Sequence, residues 1–227
     1  MRALIVGNSD GIGLALTRRL LAAGWDVTGL SRSPSPLGEH RVVDVTSAAF
    51  PEAVASVGDV DLCVYAAGTG ELLDGPAAGD LAAQTRSFEV NLLGAARTLE
   101  VVVPRMLAAG HGHIIGLSSL ADALISAESP GYAASKAGLT SYLLGLDAAL
   151  RPHGLPVTTV RFGFVDTKMA KSPVTPLMIS AERAVDVLMR CIRTRPAVVS
   201  YPRRMAVLTG TLGPLLRAGR YLRRSKG

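Results

Sequence analysis

Short runs of aliphatic and β-branched residues alternate along the chain with longer stretches whose apolar positions recur at helical spacing. The runs ALIV (3–6), WDVTGL (25–30), HRVVDV (40–45), VDLCVYA (60–66), HIIGLS (113–118), PVTTVRF (156–162) and PAVVS (196–200) predict strands. Helices are predicted between most of them, over 11–23, 47–56, 80–109, 129–151 and 180–194. Strands that are apolar at nearly every position must be covered on both faces. Alternation with helices therefore predicts a doubly wound α/β architecture, a parallel sheet of about seven strands. Such sheets bind ligands at the carboxyl ends of their strands. One link, SRSPSPLGE (31–39), carries two prolines and a glycine and is expected to lack a crossover helix.

With 227 residues, 48% of them hydrophobic, the chain has enough apolar surface for one core without disulfides. A single domain is expected over 1–202, followed by a basic tail over 203–227. No run of about 18 uncharged apolar residues occurs, and the glycine-rich stretch that follows ALIV is unlike a signal peptide, so a cytoplasmic protein is expected. Cys63 and Cys191 lie inside apolar patterns and read as buried free thiols. Nothing in the sequence points to a metal. The net charge of +6 is unevenly divided: residues 1–186 carry 14 Lys and Arg against 18 Asp and Glu, while 187–227 carry 10 basic and no acidic side chains. A basic end with only 4% aromatics argues against nucleic-acid recognition. Leu208, Leu212, Leu215, Leu216 and Leu222, interleaved with arginines, leave two readings open for the tail: contact with an anionic surface, or a solvated or oligomer-contacting end.

The first strand runs into Gly7-Asn8-Ser9-Asp10-Gly11-Ile12-Gly13 and then into a helix. A strand, a glycine-rich turn and a helix N-terminus make an anion site, because backbone N–H groups and the positive helix end face a phosphate that only glycines let approach closely. That placement predicts a Rossmann-like nucleotide fold. The spacing GxxxGxG resembles the TGxxxGIG of the short-chain dehydrogenase/reductase family, in its small single-domain branch, with Val6 in place of threonine. The resemblance covers about residues 1–200.

Several further motifs carry the resemblance. Asp44-Val45 is similar to the pair with which the family holds adenine, and YAAG (65–68) stands where the family has NNAG, placing Ala66, Ala67 and Gly68 beside the cofactor. FGFVDT (162–167) resembles a PGxVxT turn with Phe162 for proline, which puts Val165 and Thr167 at the nicotinamide. At the end of the second strand, Ser31-Arg32 faces the adenosine ribose; an arginine there suits the 2′-phosphate of NADP(H), whereas Asp10 would repel it. NADP(H) is favoured and NAD(H) stays open.

The stretch GYAASKAG (131–138) places Tyr132 and Lys136 four apart, after Ser129 as N-cap and Pro130 at the first helical position. An ammonium beside a phenol favours the phenolate, so Lys136 is expected to lower the Tyr132 pKa. Thirteen residues upstream, LSS closes a strand; Ser119 is the match to the family's serine, with Ser118 its neighbour. Asn91 in VNLLG matches the remaining member of a catalytic tetrad. The resemblance implies hydride transfer between a nicotinamide and a carbonyl or alcohol carbon of a small-molecule substrate: Tyr132 as acid, Ser119 bonded to the substrate oxygen, Lys136 on the ribose, Asn91 holding a water. It also implies a homodimer or homotetramer built on helices 80–109 and 129–151. Met169, Val174, Leu177 and Met178 are expected to wall the substrate or to pack on the sheet. A non-catalytic dinucleotide sensor, an NAD-dependent alcohol dehydrogenase and an epimerase of the same fold remain alternatives.

Overall fold

The structure is a computed structural model that describes residues 1–73, 81–169 and 175–211. Seven strands, β1 (Arg2–Val6), β2 (Asp26–Ser31), β3 (Glu39–Val42), β4 (Leu62–Tyr65), β5 (Ile114–Ser119), β6 (Val157–Phe162) and β7 (Val198–Tyr201), form one sheet in the order β3-β2-β1-β4-β5-β6-β7. Every pairing is parallel. The chain winds outward from β1 to β3, returns to β4 on the other side of β1, and winds outward again to β7. Between β1 and β4 the order reverses, and a crevice opens there at the strand ends.

The helices α1 (Gly11–Ala22), α2 (Phe50–Ala55), α3 (Leu81–Phe88), α4 (Gly94–Ala109), α5 (Pro130–Leu150) and α6 (Ala181–Thr194) cover both faces. Leu4, Val6, Cys63 and Tyr65 pack under α4 and α5 with Leu99, Leu139 and Leu143. Ala3, Ile5, Leu62 and Val64 point the other way, to Leu16 and Leu20 of α1 and to Leu188 of α6. The period-two alternation of β1 and β4 thus feeds two cores at once. Both cysteines are buried free thiols, as expected. No described helix is long and apolar enough to cross a membrane.

Three elements differ from the sequence expectation. The helix expected over 80–109 is divided by a π-helical turn, Glu89–Leu93. Asn91 lies in that turn, and its amide bonds outward to Thr69 instead of to its own helix. The third strand stops at Val42, short of 45, because Asp44 folds back to accept from the Thr46 amide and hydroxyl, 2.9 and 2.8 Å away. Ser129 takes the N-cap position of α5, but its hydroxyl caps nothing there; Pro130 at the first position removes one orphan donor. The 31–39 link holds no helix, as its prolines require. Of the tail, residues 203–211 are helical, and Leu212 onward lies outside the described residues.

Glycines in the two long helices do different work. A Cβ on Gly94 would lie 2.2 Å from the Tyr65 hydroxyl and 3.1 Å from Val45, whereas one on Gly145 of α5 would meet nothing within 4 Å. Gly94→Ala is expected to lose about 1–3 kcal/mol by overpacking, and Gly145→Ala to gain up to about 1 kcal/mol in helix propensity. Urea unfolding of the two variants checks the opposite signs.

Candidate active site

The glycine turn lies against the end of β4. A Cβ on Gly7, whose φ is +93°, would fall 2.5 Å from the Ala67 nitrogen, and one on Gly13 would fall 2.0 Å from the Gly7 carbonyl. Backbone meets backbone, so these positions admit no side chain. Asp10 takes the N-cap of α1, accepting from the Gly11 amide at 2.7 Å, and Ile12 packs against the sheet core on the α1 face. Asn8 is fully buried beneath β2, where a Cβ on Gly29 would strike it; its Oδ1 lies 3.4 Å from the Ser31 hydroxyl, and its Nδ2 has no partner among the described residues. The cradle fits a dinucleotide pyrophosphate. Ser9 and Asp10 stand at its rim, and the amides of the first turn of α1 open toward it.

Beyond the cradle, Ser31 is buried and donates to the Ser33 carbonyl at 2.9 Å, while Arg32 is exposed and makes no ion pair among the described residues. The Asp44 carboxylate sits at the end of β3 and pairs with Arg86 of α3 at 3.0 Å. Burial works to raise its pKa, but the Thr46 bonds and the Arg86 charge outweigh that and hold it below the usual carboxylate range. Val45 turns inward and is buried in the core.

The expected tetrad converges on the other side of the crevice. A Cβ on Gly68 would lie 3.3 Å from Asn91 Oδ1, 3.3 Å from Met169 Cε and 3.6 Å from Lys136 Nζ. One on Gly70 would strike the Tyr132 ring at 2.8 Å. The small residues after β4 therefore leave room in which side chains from α4's preceding turn, from α5 and from the segment after β6 meet. Asn91 is fully buried: Nδ2 donates to the Thr69 carbonyl at 2.8 Å and to Ser135 at 2.9 Å, and Oδ1 accepts from the Thr69 amide at 2.8 Å. Both ends of the amide are held by one backbone unit. Ser119 ends β5 and caps a four-residue 3-10 turn, Leu120–Ala123, by accepting from the Ala121 amide at 3.1 Å.

The electrostatics depart from the sequence expectation. Lys136 is buried, donates to the Leu117 carbonyl at 2.8 Å, and stands over the Tyr132 ring, 5.8 Å from its centroid. Burial pushes the ammonium down to about 8. The Tyr132 phenol is raised above its ordinary 10, first by burial and then by the Asp122 charge, against the lowering effect of a hydrogen bond with Ser119. Burial is thus the largest influence on each of the two groups, and it works against the charged form of both.

After β6, one strap crosses the crevice. Val165 bridges to Ile179, Thr167 lies 3.1 Å from where a Gly11 Cβ would be, Lys168 pairs with Asp10 at 3.0 Å, and Met169 reaches Gly68. Met169, Leu177 and Met178 are exposed; Val174 lies outside the described residues. Sequence reasoning missed several neighbours: Thr69 and Ser135 on Asn91, Gln84, whose Oε1 accepts from the Gly131 amide at 2.9 Å, and Asp122 with Arg161, paired at 2.6 Å behind Ser119. Arg161 was the available signal, since a charge inside an apolar central strand needs a buried counter-charge. Among the described residues no cluster of three or more His, Cys, Asp or Glu side chains could hold a metal.

A family model described as short chain dehydrogenase matches residues 1–176. An oxidoreductase from Myxococcus xanthus is 31% identical over 91% of the chain and 89% of its own length. A fatty acyl-CoA reductase from Acinetobacter baylyi is 27% identical over 93% of the chain and 80% of its own. The crystal structure of a short chain dehydrogenase from Burkholderia cenocepacia in complex with NADP superimposes with a TM-score of 0.83 at 26% identity, covering 98% of this chain and 96% of that one.

The buried Lys136 makes stability depend on pH with a definite sign. Below about 8 the folded and unfolded chains both carry its proton, so the full cost of a buried ammonium is present; between about 8 and 10.5 the folded state sheds the proton first, and that cost is progressively relieved. Lys136→Met is expected to gain stability relative to the parent most at pH 7, with the advantage shrinking at pH 9.5. Urea unfolding of both proteins at the two pH values measures the difference.

Proposed function

The chain belongs to the short-chain dehydrogenase family, and as an oxidoreductase acting between CH–OH and C=O we propose that it reduces the carbonyl of an apolar or acyl-type substrate with NADPH. The observation that carries this reading is the meeting of Asn91, Lys136 and Met169 around Gly68, with Tyr132 against Gly70, at the open end of a glycine cradle. Gly7, Gly11 and Gly13 with the amides of α1 would hold the pyrophosphate, Asp44 and Val45 would border the adenine, and Lys136, Val165 and Thr167 would flank the nicotinamide riboside. When bound, the dinucleotide supplies a hydride to the carbonyl carbon.

The side chains manage the proton. A raised phenol keeps its hydrogen through the neutral range, which suits Tyr132 to donate it to the oxygen on which negative charge develops. Ser119, hydrogen-bonded with that phenol, would donate to the same oxygen. Buried Lys136 lies over the ring, ready to bond ribose hydroxyls, and Asn91 fixes the Thr69 backbone, beside which a water would reload the tyrosine.

Two features support NADP(H). Arg32 is exposed at the end of β2 with no counter-ion among the described residues, and the carboxylate of Asp10, which would oppose a phosphate, is itself paired with Lys168. The NADP complex of the Burkholderia relative points the same way. An acyl substrate is supported by the apolar surface of Met169, Leu177 and Met178 and by the name of the Acinetobacter relative. Exposed Leu93, Leu107 and Leu144 on and beside α4 and α5 support a homo-oligomer built on those helices.

Fluorescence titration with NADPH and NADH is expected to show tighter NADPH binding, and Arg32→Ala to weaken NADPH by roughly ten-fold or more while sparing NADH. Preference for NADH would redirect the reading to alcohol oxidation. Against a carbonyl panel, Tyr132→Phe is expected to lose roughly 100- to 10,000-fold in kcat with cofactor affinity retained; retained turnover would remove Tyr132 as the acid.

A further inference from the structure

A buried ion pair stands directly behind the proposed proton-transfer residues and has no part in the chemistry above. Asp122 lies in the 3-10 turn that Ser119 caps, with 4% of its side chain exposed. Arg161 on β6 grips it with two parallel bonds, Nε to Oδ2 at 2.6 Å and Nη2 to Oδ1 at 2.5 Å. Thr140 of α5, one helical turn beyond Lys136, donates to Asp122 Oδ2 at 2.7 Å. Since an ionised carboxylate only accepts, the Thr140 proton is committed, and Thr140 Oγ1 must accept from Ser118, 2.6 Å away. The Ser118 oxygen is also 3.1 Å from the Lys136 carbonyl, and Arg161 Nη1 donates to Ser200 of β7 at 3.2 Å.

One carboxylate therefore joins the end of β5, the turn after it, the middle of α5, and strands β6 and β7. The residues it ties together are the immediate neighbours of Ser119 and Lys136. An arginine inside a central strand is costly to bury, and a packed aliphatic pair of similar volume would hold the same elements at least as firmly. Stability alone is thus a poor account of the pair, whereas a fixed charge in the turn that Ser119 caps bears on the residues around that serine.

We propose that Asp122 and Arg161 are a positioning pair: the bidentate clamp sets Ser119 and α5 relative to one another and fixes one carboxylate in the turn that follows Ser119. This rests on the reading of Tyr132 as the acid. Among the described residues, the titratable and charged groups that act on the phenol are Ser119 from β5, Asp122 from the turn after it, and Lys136 from its own helix, over the ring; Gly70 of the loop after β4 packs on the ring, and α3 contributes the uncharged Gln84 behind Gly131. Arg161 meets the phenol only through Asp122. The Asp122 charge adds to burial in disfavouring the phenolate, and Arg161 holds Asp122 in place and offsets part of that charge.

The test needs neither cofactor nor substrate, so its failure is separate from failure of the NADPH reading. The ionisation of Tyr132 is isolated as the difference in phenolate absorbance near 295 nm between each protein and its Tyr132→Phe partner, across the alkaline pH range. Asp122→Asn keeps one oxygen to accept from Thr140 and Arg161 Nε, gives up the Nη2 bond and removes the charge, and its Tyr132 midpoint is expected to fall by roughly half to one pH unit. Arg161→Met leaves the carboxylate unpaired, and the midpoint is expected to rise above the parent's. Circular dichroism at each pH confirms that the chains are folded; should Arg161→Met not fold, the Asp122→Asn arm decides alone. Coincident midpoints in folded proteins would overturn the proposal and leave the pair as scaffold.

Discussion

The backbone of the glycine turn touches the backbone that leaves β4, and the rest of the site is built around that contact. With the Ala67 nitrogen only 2.5 Å from where a Gly7 Cβ would stand, any side chain there would drive β1 and β4 apart at their carboxyl ends. These two strands are where the winding reverses, so their separation sets the width of the crevice. Gly68 comes one residue after the contact, and Asn91, Lys136 and Met169 gather at it. A single close approach between main chains thus fixes both the anion cradle and the floor on which the side chains meet.

Burial then decides the charges. Lys136 is surrounded by protein with one carbonyl partner, which brings its ammonium down to about 8. The same desolvation raises the Tyr132 phenol. Two groups expected from their spacing to form a cation and a phenolate are instead both drawn toward their neutral forms, because a low-dielectric site penalises each charge before the two can reward one another. The cation lies over the ring face, 5.8 Å from its centroid.

Most of the fold was legible because apolar periodicity is a local property: all seven strands and the main helices follow from runs of Val, Ile and Leu and from Gly and Pro between them. The glycine turn and the Tyr132–Lys136 pair were legible for the same reason, each lying within one short segment. The π-helical turn at Asn91 was not, since it depends on Thr69, 22 residues away, offering a backbone amide and carbonyl at the right height. Nor was the Asp122–Arg161 clamp, whose partners are 39 residues apart. What a sequence conceals here is long-range hydrogen bonding by polar side chains, which leaves no period to read.

Ser119 ends the strand that is buried at every one of its six positions and hydrogen-bonded on both sides, by β4 and by β6. Pairing on both sides protects the amides of such a strand, whereas the described part of the segment after β6 is tied by the Val165–Ile179 bridge and by the exposed Lys168–Asp10 ion pair. The serine beside the phenol thus takes its position from the inside of the sheet, while the residues opposite it across the crevice take theirs from the rim.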